Sequence, residues 1–194
     1  MYSLPDWAFY PLAALVLAAM IVVALSFGED STRSTDAILA DGVIYEGDAL
    51  QGLVTGNGLE VSTLVDDTHT FARIEATRGP LDGIQSAGAF FALSPNETQA
   101  LQGHAVRIVY TLRSAPENGA ANTRLSFFVA GIGQDSWQVQ PLTSEFSEHT
   151  IDIAPPSCDW GNGYIGIWPD WSVDANTIDV LKVELQVGEA ITCG

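Results

Sequence analysis

The stretch HAVRIVYTLRSA, residues 104–115, decides the fold class. Val106, Ile108, Tyr110 and Leu112 alternate with Arg107, Val109, Thr111 and Arg113. Period two places one set on one side of an extended chain and the second set on the other, as in a strand with one buried face. Outward from it the pattern repeats. In TRLSFFVAG, Leu125, Phe127 and Val129 share a face, and SWQVQPL, HTIDIAPP, YIGIW and IDVLKVELQV follow. In the last of these, Leu181, Val183, Leu185 and Val187 are expected opposite Lys182, Glu184 and Gln186. Earlier strands are predicted at TFARIEAT and AGAFFALS. Short alternating segments punctuated by Gly, Asn, Asp and Pro predict an all-β, antiparallel sandwich. One helical turn interrupts them. SPNETQALQG offers Ser94 as N-cap, Pro95 at the first helical position, Glu97 to complete a capping box and Gly103 past the end.

The N-terminus has a different character. From Trp7 to Phe27 no charged residue occurs. A helix of about 21 residues spans roughly 30 Å, the thickness of a bilayer core. Tyr10 with Trp7 and Phe9 fits one membrane interface and Phe27 the other, while Ala14 and Ala18, four apart, suit close helix contact. The expected organisation is a transmembrane anchor over 1–28, a linker over 29–40 and an extracytoplasmic sandwich over 41–194. The expected location is the inner membrane, single-pass, with the C-terminal domain in the periplasm or outside the cell. Cys158 and Cys193 are the two cysteines of the chain, and in an oxidising compartment a disulfide between them is the simplest reading.

Charge narrows the partners. The net charge is −17, with one lysine, Lys182, among seven basic residues. Nucleic acid is excluded as a partner, because neutralising phosphates takes clustered Lys and Arg. No nucleophile elbow, metalloprotease helix motif or phosphate loop occurs, and His69, His104 and His149 are isolated. No catalytic residue is assigned, and the chain is not expected to be an enzyme.

The order FFALSPNETQALQGHAVRIVYTLRSA, LSFFVAG, DSWQVQPL, IDIAPP, YIGIWPD and IDVLKVEL resembles the carbohydrate-binding-module type of galactose-binding-like sandwich, over most of residues 55–188. The resemblance implies a β-sandwich of the jelly-roll type with two sheets, no intrinsic catalysis and often a structural calcium ion. Asp179 matches the acid that opens the last strand of such modules, where the resemblance implies a calcium ligand. Glu46, Asp48 and Glu60 are acids near the first strands that could converge on it, since calcium takes six or more oxygen ligands. No other cofactor is expected.

The ligand candidates lie in CDWGNGYIGIWPDW, residues 158–171. With Ile165 and Ile167 turned inward, Tyr164 and Trp168 share the outer face, and Gly166 leaves a shallow gap between them. Trp160 and Trp171 bracket the strand, and Asp170 offers hydrogen bonds to a ligand. Rings on such a face stack on sugars, but the same residues serve equally as packing or as a protein contact. Trp137 opens a strand after a Gly-rich turn and is expected in the core. Two functions follow. The first is a membrane-anchored, non-catalytic envelope protein that recognises a glycan or similar ligand through an aromatic face of the sandwich. The second is an accessory subunit of a larger membrane-protein complex, anchored by its helix with the sandwich over the outer face.

Overall fold

The computed structural model of the chain describes residues 10, 15–17, 20, 33–79, 88–129, 133–134, 137–153 and 160–192. The chain divides into two compact units, Met1–Arg33 and Ser34–Gly194. In the first, Tyr10, Leu15, Val16, Leu17 and Met20 are helical, and their apolar side chains are exposed. Among the described residues no helix is long and apolar enough to cross a membrane. The rest of the apolar run, with Trp7, Phe9, Ala14, Ala18 and Phe27, lies outside the described residues, as do Cys158 and Cys193.

The second unit is the antiparallel β-sandwich that the alternation predicts. Its elements run α1 (Thr35–Asp41), β1 (Val43–Glu46), a 3-10 helix (Gly47–Gly52), β2 (Val54–Thr55), β3 (Leu59–Val65), β4 (Thr70–Ala76) and β5 (Ala89–Ala92). Then come α2 (Pro95–Leu101), β6 (His104–Ser114), β7 (Asn122–Val129), β8 (Gly133–Gln134), β9 (Gln138–Pro141), β10 (Ser147–Ile153), β11 (Gly163–Pro169) and β12 (Thr177–Ala190). The first sheet has the order β10-β6-β12-β4-β3, with β1 also paired to β12; the second has the order β2-β5-β11-β7-β8, with β9 paired to β7. The core lies between them. Ile74, Ile108, Tyr110, Leu112, Ile178, Val183 and Leu185 of the first sheet meet Phe91, Leu125, Phe127, Ile165 and Ile167 of the second, all of them buried. Tyr45 of β1 stacks on Phe91 of β5 at 4.2 Å and 13°, joining the two sheets.

Two local features depart from the alternation. In β12 the pairing to β6 shifts between Val180 and Lys182, leaving Leu181 as the extra residue of a bulge. The bulge flips the phase of the strand. Ile178 and Val180 face the core before it, Val183 and Leu185 after it, and Leu181 is only half-buried. Asp179 and Lys182 therefore both point outward. The second departure is in the stretch read as a linker. Residues 35–41 form α1, whose N-cap Ser34 accepts a 3.3 Å bond from the Ala37 N–H and whose Ile38 is buried. One apolar anchor in seven residues is too short a pattern to mark a helix; contact with α2 and β12 stabilises it. Gly42 ends it at φ +71, where a Cβ would collide with the Leu185 carbonyl oxygen.

The capping box on α2 forms as the sequence predicts. Ser94 Oγ accepts from the Glu97 N–H, and the Glu97 carboxylate accepts from the Ser94 N–H at 2.7 Å. That carboxylate also accepts from the Tyr45 hydroxyl at 3.3 Å. Burial first, and Glu97 second, push the Tyr45 hydroxyl far above the usual phenol range, so it stays a donor.

Candidate binding face

The second sheet has two sides. Ile165 and Ile167 of β11 point into the core, so Tyr164, Gly166 and Trp168 point outward. Register extends the outer face across the neighbouring strands. Phe90 of β5 lies opposite Gly166, which lies opposite Ser126 of β7. Ala92 lies opposite Tyr164, and Tyr164 opposite Phe128. Trp168 lies opposite Arg124, and Arg124 opposite Val139 of β9. Phe90, Tyr164 and Phe128 are half-buried and Val139 is exposed, so the face reaches solvent.

Edge-to-face contacts order the rings. Phe90 and Tyr164 meet at 5.6 Å and 86°, Phe128 and Trp137 at 5.3 Å and 75°, and Trp137 and Trp168 at 6.2 Å and 88°. Such T-shaped pairs are favourable because the positive ring edge meets the negative ring face. Trp137, which the sequence places in the core, packs against the core cluster but from the outer side of the second sheet. Half-buried on the outer face, it packs against Trp168 and lies beside Gly88, where a Cβ would come within 3.3 Å of its ring.

At one end of the face sits a polar group. Arg124 donates to the Asp170 carboxylate at 3.3 Å, and Asn122 donates to it at 3.5 Å. The Asp170 N–H donates to the Asn122 carbonyl at 2.9 Å, which holds the loop after β11 against β7. Among the described residues the buried Arg124 Nε has no hydrogen-bond partner.

The five residues proposed from the sequence separate. Tyr164 and Asp170 are on this face and half-buried. Trp168 is on the same face, as the alternation requires, but it is 0% exposed; its indole N–H donates to the Arg78 carbonyl at 3.2 Å and Trp137 covers its ring. Trp160 faces inward, edge-on to Phe127 at 5.7 Å, with its carbonyl held by the Gln102 side chain at 2.6 Å. Trp160 and Trp168 are therefore both buried rings, Trp160 inside the sandwich and Trp168 beneath Trp137. Trp171 is 44% exposed in the loop beyond β11. Phe90, Phe128 and Trp137 were missed as members of the face. A signal for two of them was present: Phe90-Phe91 and Phe127-Phe128 are adjacent pairs in strands, so only one ring of each pair can face the core.

The proposed calcium set does not assemble. Asp179 is 0% exposed on the outer face of the first sheet, directly opposite Arg73 on β4 and Arg113 on β6. Arg73 grips both carboxylate oxygens, at 2.7 and 3.1 Å, and Arg113 donates to one at 2.9 Å. Arg113 also lies over the Phe146 ring at 4.3 Å and the Phe71 ring at 5.2 Å. Two fixed cations satisfy this acid, where a calcium ligand would need neighbouring oxygens. Glu46 lies opposite Lys182, Asp48 is exposed in the 3-10 helix, and Glu60 lies opposite Glu75. Among the described residues no group of three or more His, Cys, Asp or Glu could hold a metal ion.

No family model matches the sequence. No curated protein matches it either. Solved structures do match, and they define the class as a β-sandwich of the kind found in carbohydrate-binding modules. One is the CBM22-1 xylan-binding domain of Xyn10C from Paenibacillus barcinonensis, with a TM-score of 0.54 at 10% identity over 76% of this chain and 94% of that domain. Another is the CBM22-1–CBM22-2 tandem of the same protein, with a TM-score of 0.54 at 9% identity over 73% of this chain and 42% of the tandem. At this identity the likeness is one of fold.

Proposed function

We propose that this protein is a non-catalytic glycan-binding protein whose ligand lies on the outer face of the second sheet. The observation that carries the reading is the placement of Phe90, Tyr164 and Phe128. They are half-buried rings on the side of the sheet away from a core that is already filled. Water-exposed rings on a sheet surface gain by covering the apolar face of a pyranose, with C–H groups against the π cloud. Arg124, Asp170 and Asn122 supply donors and acceptors for hydroxyls at one end. The shared fold with a xylan-binding domain makes xylan the first ligand to try. The apolar run 7–27 anchors the protein in the inner membrane, and the sandwich lies outside the cytoplasm. The exposed, helical Leu15, Val16, Leu17 and Met20 support an anchor.

The test is calorimetric titration of the full-length protein with soluble xylan, cellohexaose and mixed-linkage β-glucan, for wild type and for Tyr164→Ala and Phe128→Ala. Saturable binding, weakened about tenfold in each variant while each still unfolds cooperatively above the titration temperature, is expected; one lost stacking contact is worth about 1.4 kcal/mol. Binding that ignores both substitutions would move the site elsewhere. No binding to any of the three glycans would refute the reading.

A further inference from the structure

The gap that the sequence predicts at Gly166 is present in the backbone and absent from the surface. Phe128 and Trp168 lie two rows apart on adjacent strands, separated by the row of Gly166 and Ser126. A ring that is 5.3 Å from one and 6.2 Å from the other must lie over that row. Trp137 is that ring. In that row Ser126, which points outward, is only 1% exposed, and Gly166 is buried. The two smallest outward residues of the face form a low row, a notch between larger side chains, and the Trp137 indole packs against the rings on either side of it.

Polar contacts distinguish the two tryptophans. Trp168 is tied by its indole N–H to the Arg78 carbonyl. No described residue accepts a hydrogen bond from the Trp137 indole N–H, and the ring is half-buried. Apolar contacts hold it on the described residues: the two rings and the core cluster it packs against. They are the same kind of contact that a sugar ring would offer in its place.

We propose that Trp137 is a displaceable occupant of the ligand's place: a pyranose ring enters the notch over Gly166 and Ser126 only when Trp137 has turned out of it. This rests on the reading of the face as a glycan site. Affinity is then reduced by the fraction of molecules in which the notch is open, and removing the plug removes that penalty.

The experiment is calorimetric titration of full-length wild type, Trp137→Ala and Trp137→Phe with soluble xylan, cellohexaose and mixed-linkage β-glucan, alongside thermal unfolding of each. Two edge-to-face contacts hold the notch shut, so Trp137→Ala is expected to bind about tenfold more tightly than wild type. Trp137→Phe should fall between them, and it serves as the test if the alanine variant does not fold. Weaker or equal binding in the variants would overturn the proposal; weaker binding would make Trp137 part of the platform and leave the glycan reading intact. No binding by any of the three proteins would remove both.

Discussion

Replacing Asp179 by Asn tests the account of the first sheet. The carboxylate is 0% exposed and receives three hydrogen bonds from two guanidiniums whose side chains are 28% and 19% exposed. Asn keeps the shape but removes the charge, and its amide nitrogen turns N–H groups toward one of the arginines. Breaking a buried ion pair by removing one partner costs about 3–5 kcal/mol. The partial exposure of both arginines lowers this, because water screens the charge left behind. The expected loss is about 3 kcal/mol. It is read as a fall in the urea midpoint at constant slope, followed by tryptophan fluorescence. Replacing all three residues together, as Arg73→Met, Asp179→Leu and Arg113→Met, should restore most of the loss, since an apolar trio leaves no uncompensated charge. The same reasoning predicts that wild type melts at one temperature in calcium and in chelator. A loss below about 1 kcal/mol in Asp179→Asn, or a calcium-dependent rise in melting temperature that this substitution abolishes, would refute the triad as the role of Asp179.

Two further outcomes follow from local chemistry. Burial lowers the His149 pKa from its ordinary 6.5, so the folded state binds this proton less readily than the unfolded state. The unfolded chain then gains protons first as pH falls, and stability declines from about pH 6.5 downward until the folded-state value is passed. Melting temperatures across this range should show the decline in wild type and a smaller one in His149→Gln; equal profiles would contradict it. At Gly42 the positive φ and the nearby Leu185 carbonyl oxygen leave no room for a side chain. Gly42→Ala should therefore destabilise by about 1–3 kcal/mol and loosen α1 first, seen as faster amide exchange at Ile38. Unchanged stability and exchange would mean that the helix end is not fixed there.

Much of the sandwich was legible in local pattern because strand periodicity is a property of consecutive residues. Val106 to Leu112 named their own inner face, and Ser94-Pro95-Glu97 named a helix start, since each needs only neighbours a few positions away. The bulge at Leu181 was not legible. In the run IDVLKVELQV the adjacent Val180 and Leu181 interrupt the alternation, but such a doublet has several local readings, and pairing with β6 is what makes Leu181 the extra residue. The short α1 was hidden for a related reason: its stability comes from elements distant in the sequence.

The candidate face divides along the same line. By itself the sequence determined that Tyr164, Gly166 and Trp168 lie together opposite Ile165 and Ile167, because alternation along one strand admits no other arrangement. Tertiary structure decided what covers them. Trp137 reaches the face through β9, which pairs with β7, and its ring settles over the Gly166–Ser126 row. Tertiary structure likewise decided that Asp179 meets two arginines, one 106 and one 66 positions away in the chain. Which face a residue takes is written in its immediate neighbours; what lies against that face depends on strands brought together from distant parts of the chain.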